Sequence, residues 1–159
     1  MGCQPSKASY KIVVKTGDHK GAGSDSNVHI ILVNTHGNQS RIIPLDCIWR
    51  NDFERGSKDT FPVSGLENFG DIADIQLWRT GIICDAWYIE WIKVHNLYNG
   101  KCFMFPICRW MASDRLMQFQ EYDCVLPQFS KFPQQRKMEL EEKKKEYAFA
   151  PKIEGLPCE

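Results

Sequence analysis

The sequence predicts an all-β fold, an antiparallel β-sandwich followed by a C-terminal helix, and three observations predict it. Short segments rich in β-branched and aromatic residues alternate between apolar and polar positions. Clusters of Gly, Asn and Asp separate these segments at regular spacing, as in a sandwich. No helical period appears before about residue 133, where the composition changes abruptly.

Taken in order, residues 1–8 read as a flexible arm. Its opening, Met1-Gly2-Cys3-Gln4-Pro5-Ser6, fits the N-myristoylation pattern through Gly2 and Ser6, and Cys3 is placed to take a palmitoyl group beside it. The alternative is an unmodified arm before the first strand. One myristoyl chain binds a bilayer only marginally, with an association constant on the order of 10⁴ M⁻¹, so stable anchoring needs a second signal.

Residues 9–112 read as the sandwich. From Tyr10 to Thr16, Tyr10, Ile12 and Val14 share one face and Lys11 and Lys15 the other, which is the pattern of a half-buried strand. The turn "TGDHKGAGSDS" precedes a β-branched run from Val28 to Val33, and "THGNQ" makes the next turn around Gly37. Further extended segments are Arg41–Leu45, Thr60–Val63, Asp71–Arg79, Trp87–His95 and Phe103–Trp110, with Asn99-Gly100 a hairpin signal before the last. Residues 113–132 read as an irregular connector. A charged helix over 133–148 follows, with Pro133 in its first turn and Glu139–Lys143 and Glu141–Lys145 in the favourable i,i+4 order. Residues 149–159 are a proline-punctuated linker.

The composition excludes several classes of function. The chain has 43% hydrophobic and 25% charged residues, the balance of a soluble globular protein. Its 20 Lys and Arg match its 20 Asp and Glu, so no global field draws in nucleic acid, although a local patch remains open. The glutamates among the lysines of "RKMELEEKKKEY" favour a solvated helix over a nucleic-acid or membrane contact. No run is long enough to span a bilayer, and no secretory signal is seen, so the expected location is cytoplasmic. The seven cysteines contain no C-x-x-C pair, which gives structural zinc no support, and most of them read as small core residues.

With these segments in place, the region from Tyr10 to about Trp110 resembles a PLAT (LH2) domain, the N-terminal β-sandwich of animal lipoxygenases. The likeness rests on "YKIVVKTGD", "GAGSDSNVHIIL", "NDFERGSKDTFPV", "FGDIADIQLWR", "DAWYIEWIKV" and "FPICRW", in that order and spacing. It continues through "RKMELEEKKKEYAFAPKIEGLPC", which looks like the segment leading into a lipoxygenase catalytic domain. That domain is not present. The family's iron site needs a helical histidine pair, further histidines and a C-terminal isoleucine. Here His19, His29, His36 and His95 fall on turns and strands and the last residue is Glu159, so the expectation is no iron and no catalysis by this chain. A Cys/His nucleophile built from Cys84 or Cys108 with His95 is outweighed by packed thiols.

The loops carry the remaining chemistry. Calcium takes six to eight oxygens, and a sandwich gathers distant loops at one end. By resemblance, the carbonyls of Gly21 and Ala22 and the side chain of Asp25 match calcium positions of lipoxygenase PLAT domains, and Asn51, Asp52 and Glu54 match another set. Asp85 offers a carboxylate in a third loop. Ser26 and Ala86 stand where some relatives carry an acid, which implies weaker binding or fewer ions. Beside these ligands Trp49, Ile82 and Ile83 are the candidates for membrane insertion, whereas Phe53, Trp78, Trp87, Trp91 and Trp110 read as core anchors. The expected function is a non-catalytic, calcium-dependent module that reversibly binds a phospholipid surface. The alternatives are a module that binds a protein, such as a lipoxygenase catalytic domain, or a fragment of a longer lipoxygenase.

Overall fold

A computed structural model describes residues 7–46, 52–81, 86–123 and 125–147. Two compact units are formed, one up to Cys124 and one from Val125 onward. The first contains β1 (Ala8–Thr16), β2 (Asn27–Asn34), β3 (Ile43–Leu45), β4 (Lys58–Ser64), β5 (Ile72–Thr80), β6 (Trp87–Asn96), β7 (Cys102–Met111) and β8 (Met117–Gln120). They form two four-stranded sheets, ordered β4-β1-β6-β7 and β3-β2-β5-β8, with all pairings antiparallel.

The alternation seen in the sequence is what closes the sandwich. Ile12 and Val14 of β1, Ile30 and Leu32 of β2, Ile75 and Leu77 of β5 and Ile92 and Val94 of β6 are all fully buried between the sheets. Each such side chain contributes about 1.5–3 kcal/mol relative to exposure. The Asn99-Gly100 hairpin joins β6 to β7. Gly100 has φ 74° and its N–H donates to the Asn96 carbonyl at 3.0 Å, while the Asn96 side chain accepts from the Tyr98 and Asn99 N–H groups.

Three sequence expectations change. An eighth strand lies inside the segment read as irregular: Met117 and Phe119 are buried and β8 pairs with β5. Four residues containing two glutamines are too short to display a period. Trp87 is a core anchor with no exposed surface, but Trp78 and Trp91 are only half-buried and Trp110 is 42% exposed. These three stand at outward positions of their strands, where alternation overrides size. Both described cysteines, Cys102 and Cys108, are exposed on β7 for the same reason.

The second unit contains a short 3₁₀ turn at Pro127–Phe129 and α1 at Pro133–Glu146. Pro133 opens α1, and Lys143, Lys144 and Lys145 crowd its last turn, where cations suit the helix dipole. Glu139 accepts from Gln135 at 2.9 Å and pairs with Arg136 at 3.4 Å, on the N-terminal side rather than with Lys143 a turn beyond it.

Two outcomes test this architecture. Phe119→Ala is expected to cost about 3–5 kcal/mol in chemical denaturation, the cost of emptying a core site, whereas a dispensable tail strand would lose almost nothing. His95 supplies a pH test. Burial, then Lys11, Lys93 and Lys58, hold its imidazole below its ordinary value of 6.5, so the unfolded chain takes up the proton first. Its contribution is present above that value and is lost as pH falls below it, and His95→Gln is expected to flatten this part of a stability–pH profile.

Candidate functional site

One end of the sandwich brings together the loop after β1 (residues 17–26), the loop before β4 (52–57) and the start of β6. Backbone hydrogen bonds extend the ladder into these loops. Thr16 N–H donates to Ser57 O at 3.1 Å, Gly56 N–H to Gly17 O at 3.1 Å and Gly17 N–H to Tyr88 O at 3.0 Å. Farther out, Ser24 N–H donates to Phe53 O at 3.2 Å and Tyr88 N–H to Ala22 O at 3.1 Å.

Glycine makes this closeness possible at one decisive point. A Cβ on Gly23 would stand 3.1 Å from the Arg55 nitrogen and 3.2 Å from the Phe53 oxygen, so a side chain there would push the two loops apart.

Phe53 is the anchor. Its backbone is left-handed, with φ 63°, which a non-glycine residue adopts only when its surroundings hold it. Its ring is buried 4.6 Å from Trp87 and 5.6 Å from Phe61, centroid to centroid. Its N–H donates to Asp59 Oδ2 at 2.9 Å, and the Ser57 hydroxyl donates to the same oxygen. Asp59 is buried, so its carboxylate shapes this loop from beneath.

Above Phe53 lies a cleft of about 180 Å³ lined by Ser24, Asp25, Ser26, Asn27, Leu45, Asp46, Asp52 and Phe53. Asp25 and Asp52, far apart in sequence, thus share one cavity. Asp46 joins them, a residue that sequence reasoning passed over although it directly follows the buried Leu45 of β3. Gly21, Ala22 and Glu54 do not line the cleft. Ala22 is buried with its carbonyl turned to Tyr88, and Glu54 is exposed with its carbonyl accepting from Ser57 N–H at 2.9 Å. Asn51 and Asp85, the insertion candidates Trp49, Ile82 and Ile83, and the acylation candidates Gly2 and Cys3 all lie outside the described residues.

The polar side chains of the cleft are carboxylates, hydroxyls and the amide of Asn27, an oxygen-rich set that suits a hard cation such as calcium better than zinc or copper. Among the described residues no three His, Cys, Asp or Glu side chains converge closely enough to hold an ion as they stand. Ser26, standing where some relatives carry an acid, has its own task. Its hydroxyl accepts from the buried Arg79 at 2.7 Å, and Arg79 also donates to the Met111 carbonyl at 2.9 Å. Arg55 pairs with Asp18 at 2.7 Å on the exposed rim, a contact worth little in water.

The histidines are spread over both sheets and two turns: His29 on β2, His95 on β6, and His19 and His36 in turns. The thiol beside His95 is Cys102 at 3.9 Å, directly across the β6–β7 pair, rather than Cys108, which donates to the Glu90 carbonyl at 3.4 Å. Cys84 lies outside the described residues.

The sandwich has known relatives. The PLAT/LH2 domain family matches residues 10–122. The chain is 30% identical over 158 residues to the allene oxide synthase-lipoxygenase protein of Plexaura homomalla, covering 94% of this chain and 14% of that protein. It is 34% identical over 113 residues to mouse lipoxygenase homology domain-containing protein 1, covering 67% of this chain and 5% of that one. Among solved structures, a coral 8R-lipoxygenase described as activated by calcium through a C2-like domain superposes with a TM-score of 0.68 at 28% identity, covering 93% of this chain and 22% of that one. A calcium-dependent 11R-lipoxygenase gives 0.59 at 34% identity, covering 89% and 22%. The chain therefore spans under a quarter of each of these relatives. With a family match over most of the sandwich and two four-stranded sheets in this order, the chain belongs to the PLAT/LH2 domain family.

Proposed function

We propose that this chain is a non-catalytic module that docks reversibly on a phospholipid surface when its loop end binds calcium. The observation that carries the reading is the oxygen-rich cleft that Asp25 and Asp52 share. The calcium activation described for the coral relative's C2-like domain supports it.

Calcium, when bound, would supply positive charge that offsets the loop carboxylates. Asp25, Asp46 and Asp52 line the cleft and are proposed to hold it, joined by Asn51 and Asp85; Gly21, Ala22 and Glu54, which do not line the cleft, would complete the set only by turning toward it. Without the ion these acids repel anionic headgroups. The ladder that ties Ser24 to Phe53 makes movement in one loop felt in the other. Trp49, Ile82 and Ile83 are the groups proposed to enter the interface, and Gly2 and Cys3 would add acyl chains as a second signal. No helix among the described residues is long and apolar enough to cross a membrane. The proposed location is cytoplasmic with reversible membrane association.

A second reading, a module that binds a protein such as a lipoxygenase catalytic domain, has one observation in its favour. The outer face of the sheet β3-β2-β5-β8 carries a cleft lined by Ile31, Gln76, Trp78, Asp114 and Leu116, and His29 stacks on Trp78 at 5.4 Å. A partner retained after detergent and chelator treatment would favour it.

Liposome sedimentation separates the two. Calcium is expected to raise the bound fraction above its value in chelator, and Asn51→Ala/Asp52→Ala/Glu54→Ala to remove that increment. Equal binding by both proteins in calcium and in chelator would sink the calcium reading. Asp59→Ala should behave differently, costing about 1–3 kcal/mol of stability because it strands the Phe53 N–H, as chemical denaturation will show.

A further inference from the structure

The outer face of the sheet β4-β1-β6-β7 carries charge that the loop cluster does not use. Three cross-strand rows cover it: Pro62–Lys11–His95–Cys102, Thr60–Val13–Lys93–Met104 and Lys58–Lys15–Trp91–Pro106. Lys15 stands directly opposite Lys58, and Lys11 directly opposite His95. Like charges directly opposed across paired strands destabilise a sheet, so the Lys15–Lys58 pair has a cost that an acid in either place would remove. Among the described residues no carboxylate forms an ion pair with Lys11, Lys15, Lys58 or Lys93. Asp59, the acid within β4, is buried toward the loop instead, and Glu90 lies at the β6 bulge beyond the third row.

One aromatic ring holds two of the lysines. The ammonium groups of Lys58 and Lys93 lie over the Trp91 ring, 5.6 and 4.7 Å from its centroid, and Lys15 donates to the Gly56 carbonyl at 2.6 Å. Their fields add: Lys11, Lys93 and Lys58 all act on His95 and help keep its imidazole neutral. Toward the loop end the same face continues as an aromatic row, with Tyr88 against Trp110 at 5.2 Å and against His19 at 4.5 Å. With strands about 5 Å apart and alternate residues about 7 Å apart, the lysines cover roughly 10 by 14 Å of the sheet face.

We propose that this face is a second, calcium-independent docking surface whose occupant is the phosphate-bearing headgroup layer of an anionic membrane. Charge complementarity selects the headgroups. The exposed Trp110 and half-buried Trp91, amphipathic rings of the kind that settle at a bilayer interface, select a membrane over a dissolved polyanion. The balanced net charge of the chain conceals this surface, because acids elsewhere, Asp25, Asp46 and Asp52 at the loops among them, offset Lys11, Lys15, Lys58 and Lys93 in the sum.

The test uses the full chain in chelator with vesicles of phosphatidylcholine alone or containing phosphatidylserine and a phosphatidylinositol bisphosphate. The protein is expected to partition onto the anionic vesicles and not the neutral ones. Lys11→Gln/Lys58→Gln/Lys93→Gln should lower that partition about a hundredfold, from a surface attraction shared among three lysines, with the thermal midpoint unchanged or raised. Lys101→Gln, which removes a lysine paired with Asp71, should leave the partition unchanged. Asp25→Asn/Asp52→Asn should keep the chelator-resistant binding, which separates this surface from the calcium loops. As an independent readout, vesicle binding should raise the His95 pKa toward its ordinary value in an NMR titration. Equal partition onto neutral vesicles, full binding by the triple variant, or loss of chelator-resistant binding in Asp25→Asn/Asp52→Asn would overturn the proposal. Capture of free inositol hexakisphosphate with no gain on anionic vesicles would overturn the membrane as its occupant.

Discussion

The loop end depends on the burial of Phe53 in a left-handed backbone conformation. That conformation is unfavourable for a side chain, and the Trp87 and Phe61 rings together with the Asp59 carboxylate hold it in place. Once Phe53 points inward, its neighbour Asp52 lines the cleft while Glu54 is exposed. The Phe53 carbonyl then meets Ser24 N–H and brings the first loop alongside. One apolar side chain thereby fixes the meeting of two acids that lie far apart in the sequence.

The two ends of the charge distribution follow from strand alternation. Inward positions of β1, β4 and β6 must be apolar, so the remaining positions are free to carry a common charge. Here Lys11, Lys15, Lys58 and Lys93 occupy four of them. The loops, released from alternation, carry aspartate on short side chains that also suit turns. A chain with no net charge is thus strongly polarised, acidic at the loops and basic across one sheet. Calcium at the acidic end would leave both surfaces attractive to the same anionic headgroups.

The sandwich was legible because period-two patterning is a local property, visible in Tyr10 to Thr16 and again in Trp87 to His95. β8 was not, since four residues hold too few repeats and its pairing with β5 is long-range. The inward place of Phe53 followed from an aromatic set among acids in a turn. Trp78, Trp91 and Trp110 were misread because size suggested burial, whereas strand parity puts them outside. The shared cleft of Asp25 and Asp52 was expected only through family resemblance. Asp46 carried no motif, and only the return of β3 beside β2 brings it to the cleft. The lysine face was hidden for a different reason: each lysine looks like an ordinary solvent-facing residue until strand register sets Lys15 against Lys58.

The cleft between the first two loops is the proposed calcium site. Titration of calcium into isotope-labelled protein, followed by amide NMR, addresses it most directly. Saturable shifts are expected, concentrated at Ser24, Asp25, Asp52 and Phe53, with the sheet interior unmoved. Shifts that are absent, fail to saturate, or centre away from these residues would contradict it.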